Sequence, residues 1–375
     1  MGSFFGPFGG NMILPMFKVL KLDFGVNVLL LGLSITVFMV PFSITQLFSG
    51  ILSDILYGRR VMVAGGFMTY GLGALIASIS PSIWVFLLSR GVQGIGAALV
   101  IPSVMALVGD IFRREIRGKI MGGMAISTTL GGTLGPLFGG YFADLEWRFG
   151  FVIVGGMSFT LALLASSVLS HAGQRNDKGV RPDILKVIKE NLMRSVVIVV
   201  GLLGFILFYA RISVYTYLAD LLTLEPYSLS GGIVGSYLSL AGLGGLAAGF
   251  VAGYLADRIG RKRAMLIGLS ASLIVLGSYI MPIWYELLPF LLFLMGFSIT
   301  HSFTPLNTIA IEIDPNYRAT IASIYGSMRF LGYAFGPMLA YPLYAHFSLN
   351  GVIISSIAAI VIGLMLTLTV LREKR

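Results

Sequence analysis

Long unbroken apolar runs, rather than alternation, organise this chain. A helix crosses a bilayer core with about 20 apolar residues. Five such runs lie at Asn27 to Leu52, Val61 to Ile79, Ile83 to Val108, Ile120 to Phe142 and Phe149 to Ser170. After a polar break come six more, at Ser195 to Tyr217, Ser230 to Leu255, Ala264 to Ile283, Leu287 to Ile313, Thr320 to Ala345 and Leu349 to Leu371. The apolar start MGSFFGPFGGNMILPM stands first in order and brings the set to twelve. Its sixteen residues reach only about 24 Å across a core of roughly 30 Å. The pattern therefore predicts either a start upstream of Met1 or a first helix that stops short of one surface. No basic segment precedes it and no A-x-A site follows, so a cleavable signal peptide is not expected.

The polar break HAGQRNDKGVRPDILKVIKENLMR, His171 to Arg194, is a linker in which Asp183 suits the cap of a short surface helix. It divides the chain into bundles at 1–170 and 195–375. Two landmarks repeat across it. GILSDILYGRR from Gly50 and GYLADRIGRKR from Gly253 are offset by 203 residues, and Gly135-Pro136 and Gly336-Pro337 by 201. Nearly equal offsets at independent places indicate a tandem repeat of six helices. An even number of crossings per half makes the repeats parallel.

Composition fits this class. Of 375 residues 57% are hydrophobic and 11% charged, against roughly 25% charged in soluble domains. The net charge of +10 would suggest a nucleic-acid partner in a soluble protein. Here its distribution decides otherwise. Twenty cations fall in loops on one face: Arg59, Arg60, Arg113, Arg114, Arg117, Lys119, six within 171–194, Arg258, Arg261, Lys262, Arg263, Arg318, and the tail residues Arg372, Lys374 and Arg375. Three, Lys18, Lys21 and Arg148, fall on the other. The positive-inside rule then places both termini in the cytoplasm and expects the plasma membrane, with no nucleic-acid partner. Without cysteine there are no disulfides, thiol catalysis or cysteine metal sites.

GYLADRIGRKR resembles the signature of the loop between the second and third helices in each half of major facilitator superfamily transporters. LSRGVQGIGAALVIPS, with Arg90 and Gln93, resembles the family's R-x-x-Q-G-x-G pattern, and WRFGF the start of its sixth helix. The fifth span carries Gly122, Gly131, Gly135, Pro136, Gly139 and Gly140 at the spacing of the antiporter signature of drug:proton exporters. The resemblance covers nearly the whole chain. It implies an all-α membrane protein of two parallel six-helix bundles that moves a small molecule by alternating access, with protons as the coupling ion, as a monomer in the lipid bilayer. The first loop copy departs from the pattern: Ile55 stands where the family has Arg, and Tyr57 delays Gly58 by one position.

The loop residues Gly50, Asp54, Gly58, Arg59 and Arg60, with Gly253, Asp257, Arg258, Gly260, Arg261, Lys262 and Arg263, have two readings. The arginines suit the negative ends of helix dipoles, whereas a carboxylate there needs a partner. The resemblance suggests that Asp54 meets the start of the eleventh helix and Asp257 the fifth near Lys119, as a state-dependent latch; the other reading is a solvated loop that only sets topology. In the fifth span, small residues recur every four positions from Gly123 through Ser127, Gly131 and Gly135 to Gly139. Either the two halves rock along this stripe, bent by Pro136, or it is ordinary small-residue helix packing.

Charges inside the bilayer are the most informative, since a central arginine costs roughly 2.5 to 3.5 kcal/mol on insertion scales. Three remain after the loops are counted: Arg90, Arg211 and Arg329. Arg329 lies about 14 Å from one end of its helix, near the midplane, and Arg211 nearer the outer surface. The sixteen acidic residues all read as loop or helix-end positions, with Asp220 and Glu225 beyond the seventh span. A positive interior favours an anionic or neutral substrate over a lipophilic cation. Asn11 and Gln46 are the polar candidates in the first two helices. His301 is a possible proton carrier or a core histidine, Arg90 a translocation residue or a packing residue, and Arg211 a binding residue or one that snorkels outward. Tyr325, Tyr333 and Asn307 are expected near Arg329.

GLGGLA at Gly242 imitates a dinucleotide fingerprint but lies within a helix with no strand before it. There is no Walker A sequence, and neither H-E-x-x-H nor G-x-S-x-G occurs, so neither a cofactor nor an enzyme is expected. The sequence supports a secondary transporter, most simply a proton-coupled exporter. An organic-anion importer or exchanger anchored by Arg211 and Arg329, and a non-transporting receptor or scaffold of the same fold, stand as alternatives.

Overall fold

The computed structural model describes residues 2–52, 58–168, 190–282, 284–314 and 317–371. Asp54, Ile55, Tyr57, Asp183, most of the linker and the tail cations lie outside the described residues.

Helices account for nearly all of the described chain, because a backbone in hydrocarbon must satisfy its own polar groups. In order they are α1 (Gly2–Asn11), α2 (Phe17–Phe24), α3 (Val28–Leu52), α4 (Gly58–Ser78), α5 (Ile83–Ile111), α6 (Arg114–Leu145), α7 (Trp147–Val168), α8 (Ser195–Leu222), α9 (Gly231–Ile259), α10 (Arg261–Ser278), α11 (Leu288–Glu312) and α12 (Arg318–Thr369). A 3₁₀ turn, Leu14–Met16, joins α1 to α2. Helical structure thus continues to Phe24, eight residues past Met16, where Lys18, Lys21 and Asp23 interrupt the apolar pattern. α12 holds the eleventh and twelfth spans, parted at Ser348, which has φ 54° and ψ −150°.

Contacts divide the chain into two compact units: Met1–Lys178 with Leu222–Ser239, and Gly179–Leu221 with Leu240–Arg375. The boundary therefore falls inside α9, not only in the linker. In the first unit α4 packs against α5 and α7, α3 against α5, and α1 against α6. In the second, α10 packs against α11 and α12.

One end of the first unit is closed by the WRFGF segment. Trp147 is fully buried, with the rings of Phe24, Phe86 and Phe151 set edge-on around it. Its indole Nε1 donates to Asp23, which also takes the Arg148 guanidinium at 2.6 Å. In the second unit Gly260, with φ 91°, is the single residue between α9 and α10, a backbone region that glycine enters without the cost of a Cβ.

Candidate functional site

The signature glycines of the fifth span are set on α6 and face two ways. Gly131, Gly135 and Gly139 lie one turn apart and meet the carbonyls of Phe4, Phe8 and Met12 on α1 and just beyond it; a Cβ on Gly135 would come within 2.5 Å of the Phe8 oxygen. Gly140 and the Pro136 carbonyl instead face Gly231 and Gly235 at the start of α9. A Cβ on Gly122 or Gly123 would meet no atom of the described residues within 4 Å beyond its own helix. Three glycines of the stripe let α1 approach α6 backbone to backbone, a contact only a missing side chain permits. Asn11 belongs to the same seam, donating from Nδ2 to the Pro7 carbonyl at 2.7 Å.

Arg90 is fully buried in α5. Its guanidinium donates to Gln93 Oε1 at 2.5 Å and to the Gly9 carbonyl at 3.1 Å, and stands 4.5 Å over the Phe38 ring. The bond to Gly9 ties α5 to α1, and the Phe38 ring sets it against α3. Gln46 on α3 is half-buried.

The second loop copy is bound within its own unit. Arg261 pairs with Glu312 at the end of α11, and Lys262 donates to the Leu368 carbonyl in the last turn of α12 at 3.0 Å. Both cations therefore sit at helix C-termini, where the dipole favours positive charge. Arg258 stacks over Tyr254 at 4.5 Å. Asp257 is exposed and, with Gly260, Arg261 and Lys262, lines a cavity of about 820 Å³. A Cβ on Gly253 would meet no atom of the described residues within 4 Å beyond its own helix. In the first copy Gly50 and Gly58 lie in α3 and α4, Arg59 donates to the Ala106 carbonyl at 2.7 Å, and Arg60 is half-buried.

The remaining interior arginines lie in the second unit. Arg329, on the first part of α12, has four rings around its guanidinium: Phe330 at 4.4 Å, Phe303 at 4.9 Å, Phe208 at 5.2 Å and Tyr325 at 5.6 Å. Each such contact contributes from about 0.5 kcal/mol at an exposed site to about 2 kcal/mol when desolvated. Its Nε is buried with no hydrogen-bond acceptor among the described residues. Gly204 makes the site possible, since a Cβ there would lie 2.9 Å from the Tyr325 ring and 3.2 Å from Arg329 Cβ. Phe208, Arg211 and Tyr215 follow Gly204 on one face of α8 at helical spacing. Arg211 stands 5.5 Å from the Tyr215 ring and is half-buried.

Of the residues expected beside Arg329, Tyr325 touches it and Tyr333 packs on the same Phe208 ring at 6.2 Å. Asn307 lies one turn from Phe303 on the same face of α11. His301 does not join them. Two residues from Phe303, it turns about 200° away, stacks with Phe297 at 6.0 Å and is buried.

The sequence reading missed the phenylalanines that make this site. An arginine near the midplane with no acid one turn away is the signal that could have found them. The placement of Asp220 also needs correction: it lies within the last turn of α8, 2% exposed, and accepts a hydrogen bond from Tyr344 at 2.9 Å.

The profile of the Major Facilitator Superfamily matches residues 1–337 and 200–375. The chain belongs to the major facilitator superfamily. Membership makes it an integral membrane transporter rather than an enzyme. Among its superfamily relatives, the bacillibactin exporter of Bacillus subtilis (strain 168) is 25% identical over 383 residues, covering 98% of this chain and 94% of that protein. The quinolone resistance protein NorA of Staphylococcus aureus (strain Mu50 / ATCC 700699) is 28% identical over 243 residues, 62% of each chain. The crystal structure of a D-xylose-proton symporter superposes with a TM-score of 0.80 at 19% identity, covering 99% of this chain and 96% of that one. That likeness establishes the shared all-helical fold.

Proposed function

We propose that this superfamily member exports a small organic solute from the cell by alternating access, driven by proton exchange. The observation that carries the reading is the α6 seam: the antiporter-type glycines Gly131, Gly135 and Gly139 lie against the α1 backbone, while Gly140 and Pro136 lie against the start of α9. Helices in contact through backbone alone have no interlocked side chains to separate when they shift. Two relatives carry names of the same sense, an exporter and a resistance protein. In this reading the chain works as a monomer in the plasma membrane, with both termini cytoplasmic and halves at 1–170 and 195–375 joined by 171–194. An importer or exchanger of organic anions anchored by Arg211 and Arg329 would differ in direction.

Proteoliposomes loaded with a pH-sensitive dye test it. A panel of permanently charged and neutral aromatic compounds is added under an imposed pH gradient. At least one compound moves protons in proteoliposomes and not in protein-free vesicles. Solute flux indifferent to the gradient would contradict proton coupling.

A further inference from the structure

The second unit holds two interior arginines with no ion-pair partner among the described residues. Among the described residues, carboxylates of that unit pair with other cations, Arg194 with Asp314 and Arg261 with Glu312. Asp220, on the same helix as Arg211, is taken by the Tyr344 hydroxyl. Arg329 has instead a surround of Phe208, Phe303, Tyr325 and Phe330, with its Nε lacking an acceptor. Arginine cannot shed its proton in a protein, so the charge stays. Aromatic faces offset part of its desolvation but leave the Nε donor without an acceptor among the described residues.

We infer that Arg329 supplies the positive pole of a binding site for an organic anion with a flat aromatic body, with Arg211 one turn farther along α8 than Phe208 as a second cation. The inference rests on the reading above, that this chain carries a small organic solute, and names the solute's chemistry. A small hydrated anion loses its water on entering a site walled by phenylalanine rings and gains few hydrogen bonds in exchange. A sulfonate or carboxylate on an aromatic ring keeps its apolar body against Phe303 and Phe330 and brings only the anionic group to the guanidinium. The repeat does not require the charge: the position 201 residues before Arg329 is Thr128, whose hydroxyl bonds to the Met124 carbonyl of its own helix. A helix-packing arginine is built differently here, as Arg90 shows with its bonds to Gly9 and Gln93.

The test uses the purified full chain and three naphthalene probes of fixed charge: 2-naphthalenesulfonate, the neutral 2-naphthalenesulfonamide, and a naphthyl trimethylammonium. Binding is read by calorimetry and by the rise in apparent Tm. The sulfonate is expected to bind at least tenfold tighter than either other probe. Arg329→Lys should weaken it about tenfold, since an ammonium lacks the fork, and Arg329→Gln at least thirtyfold. The inference is overturned if the ammonium binds as well as the sulfonate, or if a folded Arg329→Gln binds the sulfonate like the wild type. Should that variant not fold, the probe series on the wild type and Arg329→Lys still decide. Arg329-dependent binding with no flux of the sulfonate would leave the site standing and remove the transport reading. Coupled flux of other compounds with no sulfonate binding would do the reverse.

Discussion

The carboxylate of Asp144, in the last turns of α6, accepts the first backbone N–H groups of α9, from Gly231 and Gly232, both at 2.8 Å. Helix starts leave such donors without intrahelical partners, and an acid there also meets the positive end of the dipole. Loss of a cap of this kind costs about 1 kcal/mol. Asp144→Ala is expected to lower the apparent Tm by a few degrees, and Asp144→Asn by less. An unchanged Tm in Asp144→Ala would mean that water replaces the carboxylate at no cost.

Glycines of the fifth-span signature should respond unequally to a methyl group. Gly135→Ala puts a Cβ 2.5 Å from the Phe8 carbonyl and is expected to destabilise by about 1 to 3 kcal/mol, as overpacking does, with loss of flux. Gly122→Ala meets nothing within 4 Å and should be neutral, or stabilise by up to about 1 kcal/mol through helix propensity. Thermal unfolding and flux on both variants check this. Equal loss in the two would contradict the seam.

Gly260 provides a backbone test. At φ 91° an alanine carries strain of about 1 to 3 kcal/mol, so Gly260→Ala should lower the apparent Tm. Gly253→Ala, with open space around it, is the control. Matching Tm values would show that the α9–α10 turn relaxes freely.

Asp257 separates gating from topology. Arg261 and Lys262 are held at helix ends within the second unit, so the charges that orient the loop persist in Asp257→Asn. The proposal expects normal expression and insertion with reduced flux. Unchanged flux would leave the loop a topology signal alone. Asp54→Asn should show the smaller effect, because its copy of the signature is interrupted at Ile55 and Tyr57.

Spans were legible because apolar length is a property of one segment read alone. The division of α12 at Ser348 falls between the expected end at Ala345 and the expected start at Leu349. What each face touches was less legible. The small-residue stripe of α6 was visible, but not that α1 would fill it, since any helix backbone fits a glycine groove. Arg329 stood out as a charge in an apolar run. Its phenylalanine partners did not, because Phe208 and Phe303 come from other helices and phenylalanine occurs 26 times in the chain. Asp220 read as a residue beyond the span because its lone charge interrupts the apolar run Leu218 to Leu222, through which α8 continues.

Counterflow tests the central claim, that this chain is an alternating-access carrier, most directly. Proteoliposomes are preloaded with any unlabelled compound that raises the protein's apparent Tm, then diluted into a trace of the labelled compound. A carrier that re-orients with solute bound accumulates label transiently above its equilibrium level, and the account predicts that overshoot. Binding without an overshoot would contradict it and leave a receptor that keeps the fold but carries nothing.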